Sequence, residues 1–367
     1  MTRTLHHPWL NKFAWLTAVM TFLLLGLGGL VTSHEAGLAV PDWPTSYGYN
    51  MFLFPVHFWR ANILYEHTHR LLASFVGLLT TILAVWLWLR EPRRWLRWLG
   101  VTASLAVVLQ GVLGGLRVTM LKDQIGIFHA ALAQSFFVMV TLIALVLAGT
   151  EGKLAASVPS VGASWFLRRL TVGSTIWIFI QLILGASMRH QHAGLAVPDF
   201  PLAYGKVWPA TDAAFLEKIN SGWSRVDQPS ITAFQITLHM THRLVALSIG
   251  ILVGCVAWRA QREHGARSLT AKLALAWCGM ISIQAILGAA TVWSNKAADV
   301  ATAHVLVGAL VLLTGTFLSV AMLSHARSRR VLTKKLDHRM TAPWSVIDFP
   351  EVRAMPGALS GGGEASG

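Results

Sequence analysis

Two short polar segments of this chain carry residue types that do chemistry in membranes, and each lies where a polar loop meets a long apolar run. Glu66–Arg70 (EHTHR) precedes the apolar run 71–89, and His239–Arg243 (HMTHR) opens another run far downstream. In both segments a histidine lies about one turn inside a predicted membrane helix, and an arginine follows it. Because an ionisable group inside a span costs at least about 2.5–3.5 kcal/mol on insertion scales, such groups are expected to serve a function.

Four histidines, His69, His129, His242 and His304, lie near the start of four apolar runs that cross the membrane in the same direction. A rise of 1.5 Å per residue places all four at a similar depth, roughly 6–17 Å from the end of the span. They can pair as His69 with His129 and as His242 with His304, and two histidines facing across a helix bundle are the axial ligands of a heme. Zinc or copper also binds imidazoles, but no cysteine or paired carboxylate completes such a site. The pattern therefore favours heme iron.

Charged residues beside these histidines suggest how the two segments differ. Arg70 and Arg243 can each pair with a heme propionate through two parallel hydrogen bonds, or can extend to lipid headgroups. Glu66 lies three residues before His69, where the second segment has His239. A carboxylate near a heme edge can accept a proton or stabilise positive charge, so Glu66 is predicted to be catalytic. The alternative is a surface glutamate with no role.

The remaining histidines near the loops are predicted to be solvated or lid residues: His34, His57, His67, His190 and His192.

The composition is that of an integral membrane protein, with 54% hydrophobic residues, 13% charged residues and a mean hydropathy of +0.55. Soluble domains carry roughly 25% charged residues. At roughly 20 residues per span, eight runs are long enough to cross a bilayer. They are Phe13–Val31, Ile63–Leu89, Trp98–Leu116, Ile125–Ala148, Leu170–Met188, Ile231–Trp258, Leu273–Trp293 and Val300–Leu323. The first run is expected to stay in the mature protein, because no small-residue cleavage site follows it.

The formal net charge of +14 is distributed unevenly, because the basic residues gather in alternate loops. This positive-inside asymmetry predicts that both termini lie in the cytoplasm. Anionic lipid then accounts for the basic face, and no nucleic-acid partner is expected.

The chain also contains an internal duplication. Gly37–Pro44 (GLAVPDWP) recurs as Gly194–Pro201 (GLAVPDFP), and Gln110–Gly114 (QGVLG) recurs as Gln284–Gly288 (QAILG). Each half holds four spans, so both halves enter the membrane with the same polarity. The predicted fold is all-α, with eight transmembrane helices forming two parallel four-helix-bundle repeats. The halves are predicted at residues 1–150 and 151–325, followed by a disordered cytoplasmic tail at 326–367.

Small residues near the ends of the odd-numbered spans allow close backbone approach, either for ordinary helix packing or for a flat ligand. They are Gly28, Gly29, Gly114, Gly115, Gly185, Ala186, Gly288 and Ala289.

The chain resembles the heme A synthase family over roughly residues 10–325. The resemblance is carried by Glu66-x-x-His69-Arg70, His129, His242-Arg243 and His304 in eight spans, with Asp42-Trp43-Pro44 in the first loop. Family members oxidise the C8 methyl group of heme O, by successive hydroxylations, to the formyl group of heme A for cytochrome oxidase. The resemblance implies that the N-terminal half takes the substrate heme and carries the essential Glu66, and that the C-terminal half binds a heme b cofactor. In such enzymes the heme iron supplies the oxidation chemistry, and the protein binds and orients the heme.

One departure from the family pattern concerns electron supply. Many bacterial members carry a cysteine pair beside the Asp-Trp-Pro element, and this chain has Ala39 and Ser46 there, which places it with the cysteine-lacking type. Its two cysteines, Cys255 and Cys278, lie within spans and are expected to be buried.

The resemblance also implies a bacterial inner membrane, an electron donor, and heme O synthase and oxidase assembly factors as partners. Two other functions stay open, a diheme electron-transfer cytochrome and a heme carrier; the Glu66/His239 difference argues against the first.

Overall fold

The computed structural model describes residues 8–149, 163–222 and 230–340, and this part of the chain is helical. Eight of its helices are long and apolar enough to span a membrane, so the eight-span prediction is confirmed. They are α1 (Pro8–Ser33), α2 (Ala61–Arg90), α3 (Arg94–Met120), α4 (Asp123–Leu147), α5 (Trp165–His190), α7 (Ala233–His264), α8 (Leu269–Trp293) and α9 (Ala298–Met340). A short helix that the sequence analysis missed, α6 (Ala213–Gly222), lies in the loop between α5 and α7.

Local signals account for several helix ends. Ser164 caps α5 by accepting a hydrogen bond from the Leu167 N–H at 3.0 Å. Thr232 and Gln235 form a capping box at the start of α7. These side chains satisfy backbone N–H groups that have no partner within the helix, which is why serine and threonine are favoured there.

The first four helices enclose a common core. Contacts between α1 and α2, α2 and α3, α3 and α4, and α4 and α1 close a ring, so α2 and α4 lie diagonally opposite. In the second half α7 contacts α5 and α8. The ring closes through α9, because the Trp277 indole N–H donates to the Val311 carbonyl at 2.9 Å and the Thr175 and Ser319 hydroxyls lie 3.3 Å apart. Both sets of contacts are those of a four-helix bundle, with α7 and α9 on the second diagonal.

The two bundles meet along α4 and α5, which are in contact, and along α1 and α9. Gly29 of α1 lies against Thr302 of α9, close enough that a Cβ atom at residue 29 would be 2.9 Å from the threonine methyl group. This zone of contact is called the seam below. Large apolar side chains on the other faces of the spans stay exposed, including Leu105 (67%) and Leu247 (64%). Such surfaces are stable facing lipid, since the side chains are apolar and the backbone polar groups in the middle of a helical span pair with one another.

The structure differs from the sequence analysis at the end of the last span and at the cysteines. Helix α9 continues to Met340, so the first part of the segment predicted as a disordered tail is helical; the run of Lys, Arg and Leu residues there has high helix propensity. Residues up to Ala326 form one compact unit, and Arg327 begins a second. The predicted boundary between the halves, at 150 and 151, and the tail beyond 340 lie outside the described residues. Cys255 is exposed rather than buried, and Cys278 is half-buried.

Candidate functional site

The four predicted ligand histidines lie on the two diagonals. His69 on α2 and His129 on α4 face one bundle core and are near enough to interact electrostatically. His242 on α7 and His304 on α9 interact in the same way in the other bundle. Within the described residues no group of three or more His, Cys, Asp or Glu side chains is placed to hold a metal ion, so the arrangement is one of histidine pairs.

Each imidazole rests against a glycine on the preceding helix of its bundle. A Cβ atom added at that glycine would lie 3.1–3.5 Å from the Cε1 atom of the histidine. The contacts are Gly28 with His69, Gly114 with His129, Gly185 with His242 and Gly288 with His304. Four of the small residues noted in the sequence, Gly28, Gly114, Gly185 and Gly288, therefore have a flat partner, and it is the imidazole itself.

Glutamines fix the backbone beside three of the four histidines. The side-chain amide of Gln110 donates to the His129 carbonyl at 2.9 Å. Gln181 donates to the His242 carbonyl at 2.9 Å, and Gln284 donates to the His304 carbonyl at 2.8 Å. The fourth equivalent position, on α1, is Leu24. The sequence signal for these residues was a glutamine four residues before a glycine, a spacing that occurs in α3, α5 and α8.

These histidines fit heme ligation. In all four the Nδ1 atom is buried and makes no hydrogen bond with the described chain. The rings of His129 and His304 lie near the backbone carbonyls of Gln110 and Gln284. An imidazole that carries its proton on Nδ1 keeps the Nε2 lone pair for a metal.

Glu66 and Arg70 hold the first loop over the N-terminal bundle. Glu66 is buried; its Oε2 accepts the Val40 N–H at 2.8 Å, and its Oε1 accepts Arg70 at 2.7 Å. The Arg70 guanidinium also donates to the carbonyls of Val40, Asp42 and Thr45 at 2.7–3.1 Å. The pair therefore latches the loop to α2.

The second bundle has a weaker version of this latch. Arg243 donates to the Asp199 carbonyl at 2.7 Å and the Leu202 carbonyl at 2.9 Å, which are the equivalent loop positions. His239, which stands in place of the glutamate, lies near the Ala193 backbone instead. Pairing of both arginines with heme propionates stays a prediction. In the structure the loops fold back, and their carbonyls accept hydrogen bonds from the two guanidinium groups.

Each loop is also braced by an aspartate. Asp42 accepts the N–H groups of Tyr47 and Gly48 at 2.7 and 2.8 Å, and the Thr45 hydroxyl. Partial burial raises the pKa of Asp42, but these hydrogen bonds outweigh it, so the pKa lies below its ordinary value. Asp199 makes the matching contacts to Tyr204 and Gly205 in the second loop. Both carboxylates are therefore charged at neutral pH.

Two histidines predicted to be solvated are buried. His67 is fully buried; its Nδ1 lies 3.3 Å from the Ser46 hydroxyl, and its ring packs on Phe54 and Trp59 at 4.9 and 4.7 Å between centroids. At 3.6 residues per turn, residue 67 points away from residue 69. His67 therefore faces the aromatic side chains of the first loop rather than the bundle core.

His190, the second of the two buried histidines, lies at the seam. His190 ends α5 and is buried against Gly126 of α4. His34 is exposed, as predicted, and stacks on Tyr65 at 4.5 Å between centroids. His57 and His192 are exposed, as predicted.

Comparison with known proteins agrees with this arrangement. The family model for COX15-CtaA, described as cytochrome oxidase assembly protein, matches residues 11–316. Heme A synthase of Lysinibacillus sphaericus (strain C3-41) is 27% identical over 262 residues, covering 71% of this chain and 77% of that protein. Heme A synthase of Geobacillus kaustophilus (strain HTA426) is 27% identical over 330 residues, covering 88% and 93%. Heme A synthase of Listeria monocytogenes serotype 4a (strain HCC23) is 24% identical over 333 residues, covering 89% and 100%.

The matched region begins in α1 and ends in α9, and so includes all four histidines, both arginines and Glu66. The chain therefore belongs to the COX15-CtaA family of cytochrome oxidase assembly proteins.

Proposed function

We propose that this protein is a heme A synthase, an oxidoreductase that converts the C8 methyl group of heme O to the formyl group of heme A. The observation that carries the proposal is the pair of diagonal histidine sites. Among the residues that the structure describes, only the first site has a buried carboxylate, Glu66, beside it. Two similar sites with one chemical difference suit an enzyme in which one heme reacts and the other delivers electrons. The names of the relatives support the same activity.

In this proposal His69 and His129 hold the substrate heme, and His242 and His304 hold a heme b cofactor. When bound, the heme iron supplies the oxygen and electron-transfer chemistry. The protein's own contribution is geometric: glycine contacts set the ring planes of the imidazoles, and glutamine side chains fix the helix backbone beside three of them.

Glu66 is the proposed acid–base residue. Its two oxygens already accept one hydrogen bond each, from Val40 and Arg70, but an ionised carboxylate offers about four lone-pair positions. Glu66 can therefore receive a proton from the substrate side without releasing the loop. The N–H of Val40 and the Arg70 guanidinium hold the carboxylate of Glu66 in a fixed position beside the first histidine pair.

The proposal extends to the protein's surroundings. The halves are parallel repeats, both termini face the cytoplasm of a bacterial cell, and the two latched loops face the opposite side. An electron donor must reach the second heme, and heme O synthase and oxidase assembly factors are the expected partners. The apolar farnesyl tail of the substrate suits the lipid-facing surfaces of the spans.

Production of heme A tests this function directly. We expect that membranes of a host that makes heme O but no heme A will contain heme A once the full-length chain is expressed. Extracted hemes separated by chromatography give the measurement, and a strain carrying the empty vector is the control. Bound heme in the purified protein with no heme A in the membranes would instead indicate an electron-transfer cytochrome or a carrier.

The glycine contacts lead to a second prediction. Gly288→Ala places a methyl group 3.2 Å from Cε1 of His304, so the imidazole must rotate or shift. We expect heme retained by the purified protein to fall about tenfold, equivalent to about 1.4 kcal/mol, at the second site. Gly279→Ala on the same helix is the matched control, because a Cβ there meets no atom within 4 Å. Equal heme contents in the two variants, measured by absorbance after dialysis, would show that the contact does not position the ligand.

A further inference from the structure

Arg117 has an unusual environment for an arginine. It ends α3 close to Glu66, His69 and His129, is half-buried, and lies against Gly37 of the first loop. Within the described chain its guanidinium donates no hydrogen bond and forms no ion pair; the nearby carboxylates interact with it only at longer range. A half-buried guanidinium that donates no hydrogen bond to the described chain has its N–H groups free to bind an anion.

A second arginine lies close to Arg117, on the other side of the seam. Arg189 near the end of α5 interacts electrostatically with Arg117 and with His304. One of its terminal nitrogens donates to the Gly29 carbonyl at 2.6 Å and to the Ser33 hydroxyl at 2.5 Å, both on α1. The rest of its guanidinium makes no hydrogen bond with the described residues and stays available to a ligand.

Neither arginine is part of the duplicated pattern. The repeat spacing that aligns Gln110 with Gln284 matches Arg117 to Thr291. The spacing that aligns the two loop motifs matches Arg189 to Thr32. Each half therefore contributes one cation to the seam, from different helices, and the two cations come together only in the folded protein.

The arginines that follow the histidines are already occupied. Four N–H···O contacts engage Arg70, and two loop carbonyls engage Arg243. A propionate that paired with Arg70 would have to displace loop carbonyls and Glu66. A carboxylate meeting Arg117 has nothing to displace, and a planar guanidinium can bind it through two parallel hydrogen bonds.

We propose that Arg117 and Arg189 form the propionate-binding subsite at the seam, with Arg117 receiving a propionate of the heme held by His69 and His129, and Arg189 one of the heme held by His242 and His304. This inference rests on the proposed function. It brings the carboxylate edges of both hemes to the same region, and it places a fixed positive charge beside each heme.

The test uses the full-length purified protein and two measurements other than turnover: retention of added heme O, and redox titration of the low-spin heme b spectrum. Arg189→Gln should raise the oxidised-to-reduced ratio of heme b about tenfold at a given potential, which is a downward shift of about 59 mV for one electron. The reason is that loss of a nearby cation favours the more positive, oxidised heme. Arg117→Gln should lower retention of heme O about tenfold.

Two sets of control variants make the result specific. Arg117→Lys and Arg189→Lys keep the charge and should restore most of the potential and retention. Lys122→Gln removes a cation from an exposed position that makes no capping hydrogen bond, and should change neither measurement.

Three results separate the possibilities. Gln variants that match Lys122→Gln would overturn the subsite. Lys variants as impaired as the Gln variants would also overturn it, because they would show a packing role. A wild-type protein that binds no bis-histidine heme would instead refute the proposed function on which the inference rests.

Discussion

Alanine at either His242 or His304 should abolish the low-spin bis-histidine heme spectrum of the second site in the purified protein. A six-coordinate heme needs both axial imidazoles, and these two lie on the diagonal helices of the second bundle. The loss should therefore be complete rather than partial in each single variant. Reduced-minus-oxidised difference spectra and the heme content of the purified protein provide the measurements.

The matched control is His239→Ala. His239 is also a buried histidine, on the same helix and about one turn before His242, but it lies near the Ala193 backbone. It should keep the bis-histidine spectrum. Variants at His69 and His129 should leave the heme b spectrum intact and affect only the other site. A retained spectrum in both His242→Ala and His304→Ala would show that the pairing is wrong.

Glu66→Gln should stop turnover while leaving heme bound. Both histidines of the first site remain, and the glutamine carbonyl can still accept the N–H of Val40, so the loop should keep its main attachment. The substitution removes the charge and the basicity. Loss of a positioned acid–base group lowers rates by roughly 10²–10⁴-fold, so heme A in membranes should fall at least tenfold while heme O or its hydroxylated form accumulates.

Because Glu66 also latches the loop, the experiment needs a variant that breaks the latch without removing the carboxylate. Arg70→Gln loses most of the contacts to the loop carbonyls and keeps Glu66. If its heme A yield falls as far as that of Glu66→Gln, loop attachment explains both effects. Glu217→Gln makes the same chemical change at an exposed position in α6 and should leave heme A unchanged. Normal heme A production by Glu66→Gln would refute a chemical role for this residue.

Much of the fold could be predicted because the signals for it are local. A run of about 20 apolar residues specifies a span wherever it occurs, and the eight runs each became one helix. Helix α6 was missed because it is short and lies within a polar loop, where no long apolar run indicates it. The sequence does not predict the extension of α9 to Met340, because a basic segment is compatible with disorder even where its Lys, Arg and Leu residues favour a helix.

For the candidate site, the sequence predicts the residues and the tertiary structure decides their contacts. Residue types and spacing alone single out Glu66 and the four histidines as candidates, because an ionisable group inside an apolar run stands out in any sequence. The helix rise predicts a common depth for the histidines. The tertiary structure decided what each side chain touches. Glu66 meets Val40 across 26 residues, and Gln181 meets the His242 carbonyl across 61. Burial of His67 and His190, and the approach of Arg117 to Arg189, likewise depend on how loops fold back and how the two bundles meet. Such contacts join residues far apart in the chain, and periodicity along one helix carries no information about the neighbour that packs against it.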